Sequence, residues 1–257
     1  MEIIILSIVA FSVAILTFFS GFGLGTILTP VFMLFFPIEL AIGLTGIVHF
    51  FNNIFKLFLV GKNVDKSVLI NFGIPAILGA FFGSWLLFKI PDQNPLFTYI
   101  LFNQAFNVYL VKFTISVLLI IFAGIELIPF FKKLHFSKDK LQIGGILSGF
   151  FGGLSGNQGA LRSAFLIKAG LSKEAFIATA VVVSTFVDVT RLSIYATNFS
   201  KFGLTENLTL VLVVTLSGIF GSFIGNKLLK KITIDFLQKV VAILLIIISL
   251  ALGSGII

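Results

Sequence analysis

The sequence predicts an all-α polytopic integral membrane protein, and three observations carry that prediction. Hydrophobic residues make up 58% of the 257 positions and charged residues only 11%, with a mean hydropathy of +1.16. Apolar stretches of about 18 residues or more recur from end to end, each long enough to cross roughly 30 Å of hydrocarbon. The polar segments between them are short, so no soluble domain is left over.

About eight hydrophobic segments emerge, at 3–36, 38–60, 67–90, 112–131, 142–168, 174–197, 207–229 and 236–257. Met1-Glu2-Ile3 carries no basic run and no small-x-small cleavage site follows. The first segment is therefore expected to be retained in the membrane and not removed as a signal peptide. The stretch 95–109 is apolar but short and holds Asn103, Gln104 and Asn107, which predicts an interfacial helix. The most polar loop falls at mid-chain. It divides the chain into a first transmembrane repeat at 1–131, a connecting loop at 132–141 and a second repeat at 142–257.

The net charge of +8 lies mainly in lysines between the apolar segments, where the anionic leaflet of a cell (inner) membrane explains it better than nucleic acid does. With no cysteine and two histidines, neither disulfides nor a metal centre is expected. No cofactor is expected either, and the partners are membrane lipid and a small anion. Self-association is left open.

The two halves repeat. Ser20-Gly21-Phe22-Gly23-Leu24-Gly25 precedes Leu154-Ser155-Gly156-Asn157-Gln158-Gly159 by about 134 positions, and Ala41 and Thr45 pair with Ala175 and Thr179 at the same shift. Further on, Gly79-x-x-x-Gly83 falls on Gly221-x-x-x-Gly225, a spacing that lets helices pack closely. Internal repeats of this kind are the usual construction of secondary transporters. The first segment of each half is interrupted by its glycine cluster, which favours a helix break. Such a break is tolerated in lipid only where protein or a wet cavity satisfies the freed backbone groups. If both broken segments are re-entrant, about eleven lysines fall on one side and three on the other. The positive-inside rule prefers that split. It gives six full crossings, a cytoplasmic mid-chain loop and an inverted second half.

Polar side chains mark the interior. Thr45, His49, Asn52, Asn53 and Lys56 share one face of the second segment, and Ser184, Asp188, Arg191 and Tyr195 share one face of its counterpart. Ionisable groups inside a membrane are costly and normally face a bundle interior or a water-filled path. Arg162 follows the second glycine break by three residues. There it would add a cation to the positive end of a half-helix. The candidate substrate-binding residues are therefore Arg162, Arg191, Gly23, Gly25, Asn157, Gln158, Gly159, Asn52 and Asn53. Asp188 and His49 are candidates for coupling or proton transfer, since histidine titrates near neutral pH. Structural readings compete: Asp188 and Arg191 pairing along their helix, Lys56 snorkelling to the interface, Arg162 anchoring there, and the asparagines joining helices.

At these residues the sequence resembles the sulfite exporter TauE/SafE family, marked by Gly-x-Gly-Gly-Gly with a proline five residues later, once per half. Gly21-Phe22-Gly23-Leu24-Gly25 with Pro30 fits the first copy with one replacement. Ser155-Gly156-Asn157-Gln158-Gly159 departs further, with Ala164 in the proline position. The resemblance implies a secondary transporter, an exporter of sulfite or small organosulfonates, and not an enzyme. Two other readings stand beside it. A passive anion channel shares the same sequence features. An intramembrane serine hydrolase would use Ser155 of Gly153-Leu154-Ser155-Gly156, although both histidines precede that serine.

Overall fold

The computed structural model describes residues 1–18, 23–90, 94–128, 138–197, 203–228 and 234–256. Among the described residues, five α-helices precede the mid-chain loop: α1 (Glu2–Thr17), α2 (Gly25–Phe32), α3 (Ile38–Val60), α4 (Lys66–Leu87) and α5 (Leu110–Leu127). Five follow it: α6 (Leu141–Ser155), α7 (Gly159–Leu166), α8 (Lys173–Ala196), α9 (Leu208–Leu228) and α10 (Ile234–Gly253). Residues 132–137 of the connecting loop, like Ser20 to Phe22 of the first glycine cluster, lie outside the described residues.

Ile38–Asn63, Lys66–Leu87, Lys173–Ala196 and Leu208–Lys227 are long and apolar enough to cross a membrane. Polarity is inverted relative to a soluble protein. Phe58 is 82% exposed and Phe82, Trp85, Leu212 and Phe220 are also exposed, whereas Lys56, Asp188 and Arg191 are buried. Lipid is the solvent that accepts such a surface, and the chain is a multi-pass membrane protein.

Both glycine clusters interrupt their helices. α6 stops because Gly156 adopts φ +76°, and its N–H donates to the Gly152 carbonyl at 3.0 Å. This is the left-handed C-terminal cap that glycine takes without steric cost. At the first break Gly23, just before α2, also takes a positive φ, +82°.

Small residues set the helix pairing. α4 lies on α6, α1 on α9, α3 on α8 and α5 on α10. A Cβ at Gly79 or Gly83 of α4 would run into the Ile146 or Phe150 carbonyl of α6. In return, Gly145, Gly149 and Gly153 of α6 face the backbone carbonyls of Phe72, Ala76 and Ala80 on α4. Gly221 and Gly225 of α9 meet Phe11 and Ile15 of α1 in the same way. In hydrocarbon, where burying apolar side chains gains little, backbone approach of this kind is what makes helix association favourable.

The stretch 95–109 departs from the expected interfacial helix. It forms an antiparallel hairpin, β1 (Phe97–Leu101) paired with β2 (Gln104–Val108), between α4 and α5. Phe102 and Asn103 turn it with φ values of 50° and 63°, the left-handed pair that a tight two-residue hairpin needs. Thr98 donates to Asn107 at 2.7 Å across the strands, Tyr99 stacks on Phe106, and the Tyr99 hydroxyl donates to the Ser254 carbonyl at 2.6 Å. A short apolar run rich in aromatic and β-branched residues is ambiguous by period alone, and here cross-strand pairing decides it.

The glycine contacts make a graded test. Gly149→Val places side-chain carbon against the Ala76 backbone and is expected to cost more than about 3 kcal/mol, beyond ordinary overpacking. Gly61→Ala, whose Cβ would meet nothing nearer than 3.9 Å, is expected to stay within about 0.5 kcal/mol of the parent. Thermal unfolding in detergent micelles measures both.

Candidate functional site

The two polar stripes face each other where α3 packs on α8. The crossing places His49 Nδ1 2.6 Å from Asp188 Oδ2. Asn53, one turn along α3, donates to the same Asp188 oxygen at 3.2 Å. The other carboxylate oxygen takes Arg191, with Nε at 3.0 Å and Nη2 at 2.7 Å. His49, Asn53, Asp188 and Arg191 are all buried, so one carboxylate organises an imidazole, an amide and a guanidinium away from water. The pairing of Asp188 with Arg191 along their helix is thus real, and it belongs to a larger network that joins α3 to α8.

The glycine breaks come to this network from either side. A Cβ at Gly23 would sit 2.6 Å from His49 Nε2, and one at Gly25 would sit 3.3 Å from the Gly156 carbonyl. At the second break, a Cβ on Gly156 would be 2.8 Å from Thr29 Oγ1 and 3.1 Å from Arg191 Nη1. Glycine is therefore required at Gly23 and Gly156 for two separate reasons, their positive φ and the atoms they face. The breaks meet each other beside the His49–Asp188–Arg191 chain.

Arg162, on α7, is 2% exposed and donates through Nη1 to Ser184 of α8. It is no interfacial anchor. Lys56 departs just as clearly from the snorkelling reading: it is 2% exposed, with Nζ 5.3 Å from the centre of the Phe18 ring. Its stem is short of the helix end, and the bundle closes around it. Lys56 and Arg162 line a tight pocket with Gly23, Asn53, Ser184 and Thr17. Its volume is about 20 Å³, room for one water.

The charge balance of this interior is uneven. Lys56, Arg162 and Arg191 are buried cations, while Asp188 is the sole buried carboxylate among the described residues. His49 and Arg191 already engage both of its oxygens. Charge held in a water-poor interior is expensive.

The remaining candidates divide. Asn157 and Gln158 are buried in the second break, and the Asn157 amide nitrogen and both polar atoms of the Gln158 side chain have no hydrogen-bond partner among the described residues. Gly159 begins α7, so its backbone N–H belongs to the open first turn of that helix. Asn52 is turned elsewhere: its Oδ1 accepts from Ser222 of α9 at 2.7 Å, which makes it a tie between helices. Tyr195 donates to the Gly153 carbonyl and closes the far end of the α8 stripe onto α6. Ser155 donates to the Phe151 carbonyl of its own helix at 2.9 Å, while His49 is held by Asp188 and Asn53, so no serine–histidine pair is formed by these bonds. Three polar pocket residues escaped the sequence reading. Lys56 and Ser184 lay on the polar stripes but were not assigned a role, and Thr17 ends a mostly apolar helix with nothing in its spacing to mark it.

Comparison with known proteins agrees with this architecture. Residues 6–252 match the family described as Sulfite exporter TauE/SafE. No curated protein and no solved structure matches the chain. The match spans nearly every helix described above, including both glycine breaks and the α3–α8 crossing between them. This multi-pass membrane chain therefore belongs to the sulfite exporter TauE/SafE family of membrane transporters.

Proposed function

We propose that the chain is a secondary carrier that exports a small sulfur oxyanion, sulfite or a short organosulfonate, through a central site at its two helix breaks. The observation that carries this reading is that two buried basic side chains, Lys56 and Arg162, line one pocket beside the helix breaks together with Gly23 and Asn53. A pyramidal or tetrahedral oxyanion suits that pair, because guanidinium and ammonium donors form their strongest hydrogen bonds to charged oxygens. Arg162 and Lys56 are the principal ligands. Asn53, the amides of Asn157 and Gln158, and backbone N–H groups at Gly23, Gly25 and Gly159 complete the shell. Arg191, held by Asp188 with Nη1 facing Gly156, presents its outer edge to the same region. Asn52 holds α3 to α9 and supports the site from behind.

The reciprocal packing of α1 on α9 and α6 on α4, with α3 on α8 and α5 on α10 across the middle, supports two inverted repeats with re-entrant first segments. Rocking of one repeat against the other gives alternating access. Lys62, Lys66, Lys140, Lys173 and Lys227 belong to the ends of α3, α4, α6, α8 and α9 that gather on one side. The positive-inside rule puts that side in the cytoplasm. The His49–Asp188 pair is the proton-handling element: its hydrogen bond lies one helical turn from the anion pocket and links the two repeats.

Two measurements test this. In proteoliposomes, saturable uptake of sulfite or methanesulfonate is expected from the parent. Arg162→Gln and Lys56→Gln should each raise the apparent KM roughly 10- to 100-fold, the worth of one charge-assisted hydrogen bond. Normal transport by both variants would remove the centre of the proposal. His49→Gln keeps a hydrogen-bond donor for Asp188 but cannot carry a proton. It is expected to retain exchange of internal for external anion while losing the acceleration given by a proton gradient. Gradient-independent, unsaturated flux in the parent would instead identify a channel.

A further inference from the structure

Beyond the central pocket, a second cavity of about 420 Å³ opens at the Val60 end of α3 and the Lys173 end of α8. Leu59, Asn63, Glu174 and Asn226 also line it. Nothing in the anion-site reading requires this cavity, yet one side chain belongs to both spaces. Ile177 lines the large cavity and also the tight pocket that holds Lys56 and Arg162. It is 5% exposed, an apolar plug between a roomy outer space and a charged inner one.

The order of groups along α8 makes this a route. From its Lys173 end the helix presents Glu174 and Ile177, then Val181 and Ser184 on the pocket, then Asp188, Arg191 and Tyr195. Ile177 and Ser184 are separated by roughly 10 Å along the axis, and Asp188 lies a further turn on. α3 runs the other way and presents Val60, Lys56, Asn53 and His49 in step. Past the pocket the space is closed. His49, Asp188 and Arg191 bond across it, and Tyr195 is tied to the Gly153 carbonyl.

The geometry points to a one-sided permeation route: the anion reaches Lys56 and Arg162 from the Lys173 end, past Ile177 as a movable gate, while the His49–Asp188–Arg191 network is the closed gate opposite. This rests on the anion-site reading and adds a mouth, a gate and a direction to it. With the lysine-rich end in the cytoplasm, the carrier is poised to load from inside, as export requires.

The chain contains no cysteine, so single cysteines can be placed without background. Asn63→Cys, Ile177→Cys, Val181→Cys and Thr45→Cys would each be treated in detergent with an anionic methanethiosulfonate and with its cationic counterpart. Asn63→Cys, Ile177→Cys and Val181→Cys are expected to react. Val181→Cys should prefer the anionic reagent roughly tenfold or more, as a cation-lined cleft concentrates anions. Thr45→Cys, one turn beyond His49, is expected to stay unmodified. If Asn63→Cys reacts but neither Ile177→Cys nor Val181→Cys does, the cavity is blind and the route is wrong. Modification of Thr45→Cys as fast as Val181→Cys would place the mouth on the other side. Equal rates for the two reagents at Val181→Cys would also overturn the inference. These readouts do not depend on transport, so they stay separate from a failure of Arg162→Gln to alter uptake.

Discussion

Asp188 accepts hydrogen bonds from a histidine on α3 and an arginine on its own helix, and much of the interior is arranged around that double demand. A carboxylate stripped of water is tolerable only when both oxygens are engaged, and in a membrane bundle there is little water to share the task. Meeting the demand fixes the crossing of α3 and α8 to within a hydrogen bond. The crossing in turn dictates what the neighbouring backbone must do. Gly23 has to pass against the His49 imidazole, and Gly156 has to pass against the Arg191 guanidinium and Thr29. Any side chain at either place would push the network apart. Glycine at the breaks is thus a steric consequence of a buried ion pair as much as a conformational choice.

The same arithmetic of charge separates structure from chemistry at the centre. Arg191 has its counter-ion in Asp188, on its own helix. Lys56 and Arg162 sit one turn away, in a pocket that also offers Asn53 and Ser184. Buried polar groups that are left incomplete are unusual because they are costly. Here the side chains of Asn157 and Gln158 at the second break lack partners among the described residues. Unfulfilled donors beside two buried basic side chains favour an anionic ligand, and membership of a family of sulfur-anion exporters accords with that chemistry.

Outside the centre, the fold is held by a different force. α4 on α6 and α1 on α9 are fastened by glycine against backbone carbonyl, with phenylalanine, leucine and isoleucine turned out to lipid. The two systems are coupled through α6. Its Gly145, Gly149 and Gly153 face α4, and its end at Gly156 faces Arg191. Loosening the packing of α6 would therefore reach the site directly.

The sequence by itself determined the membrane class, the two glycine breaks and the two polar faces, because hydropathy, glycine's backbone freedom and the helical period act over a few residues. It marked Arg162, Arg191, Asp188 and His49 as interior groups on the same grounds. Only the tertiary structure decided who meets whom. His49 with Asp188, Arg162 with Ser184 and Asn52 with Ser222 are separated by anything from 22 to 170 positions, and no local pattern records such distances. For Lys56 the sequence left an interior place and snorkelling to the interface both open, and the packing of neighbouring helices around it buried it. The stretch at 95–109 read as a helix because its apolar content is short and its period ambiguous, and pairing between its own two strands settled the matter. Short-range preferences chose the pieces; the cost of leaving charge and backbone unpaired in hydrocarbon chose how they fit.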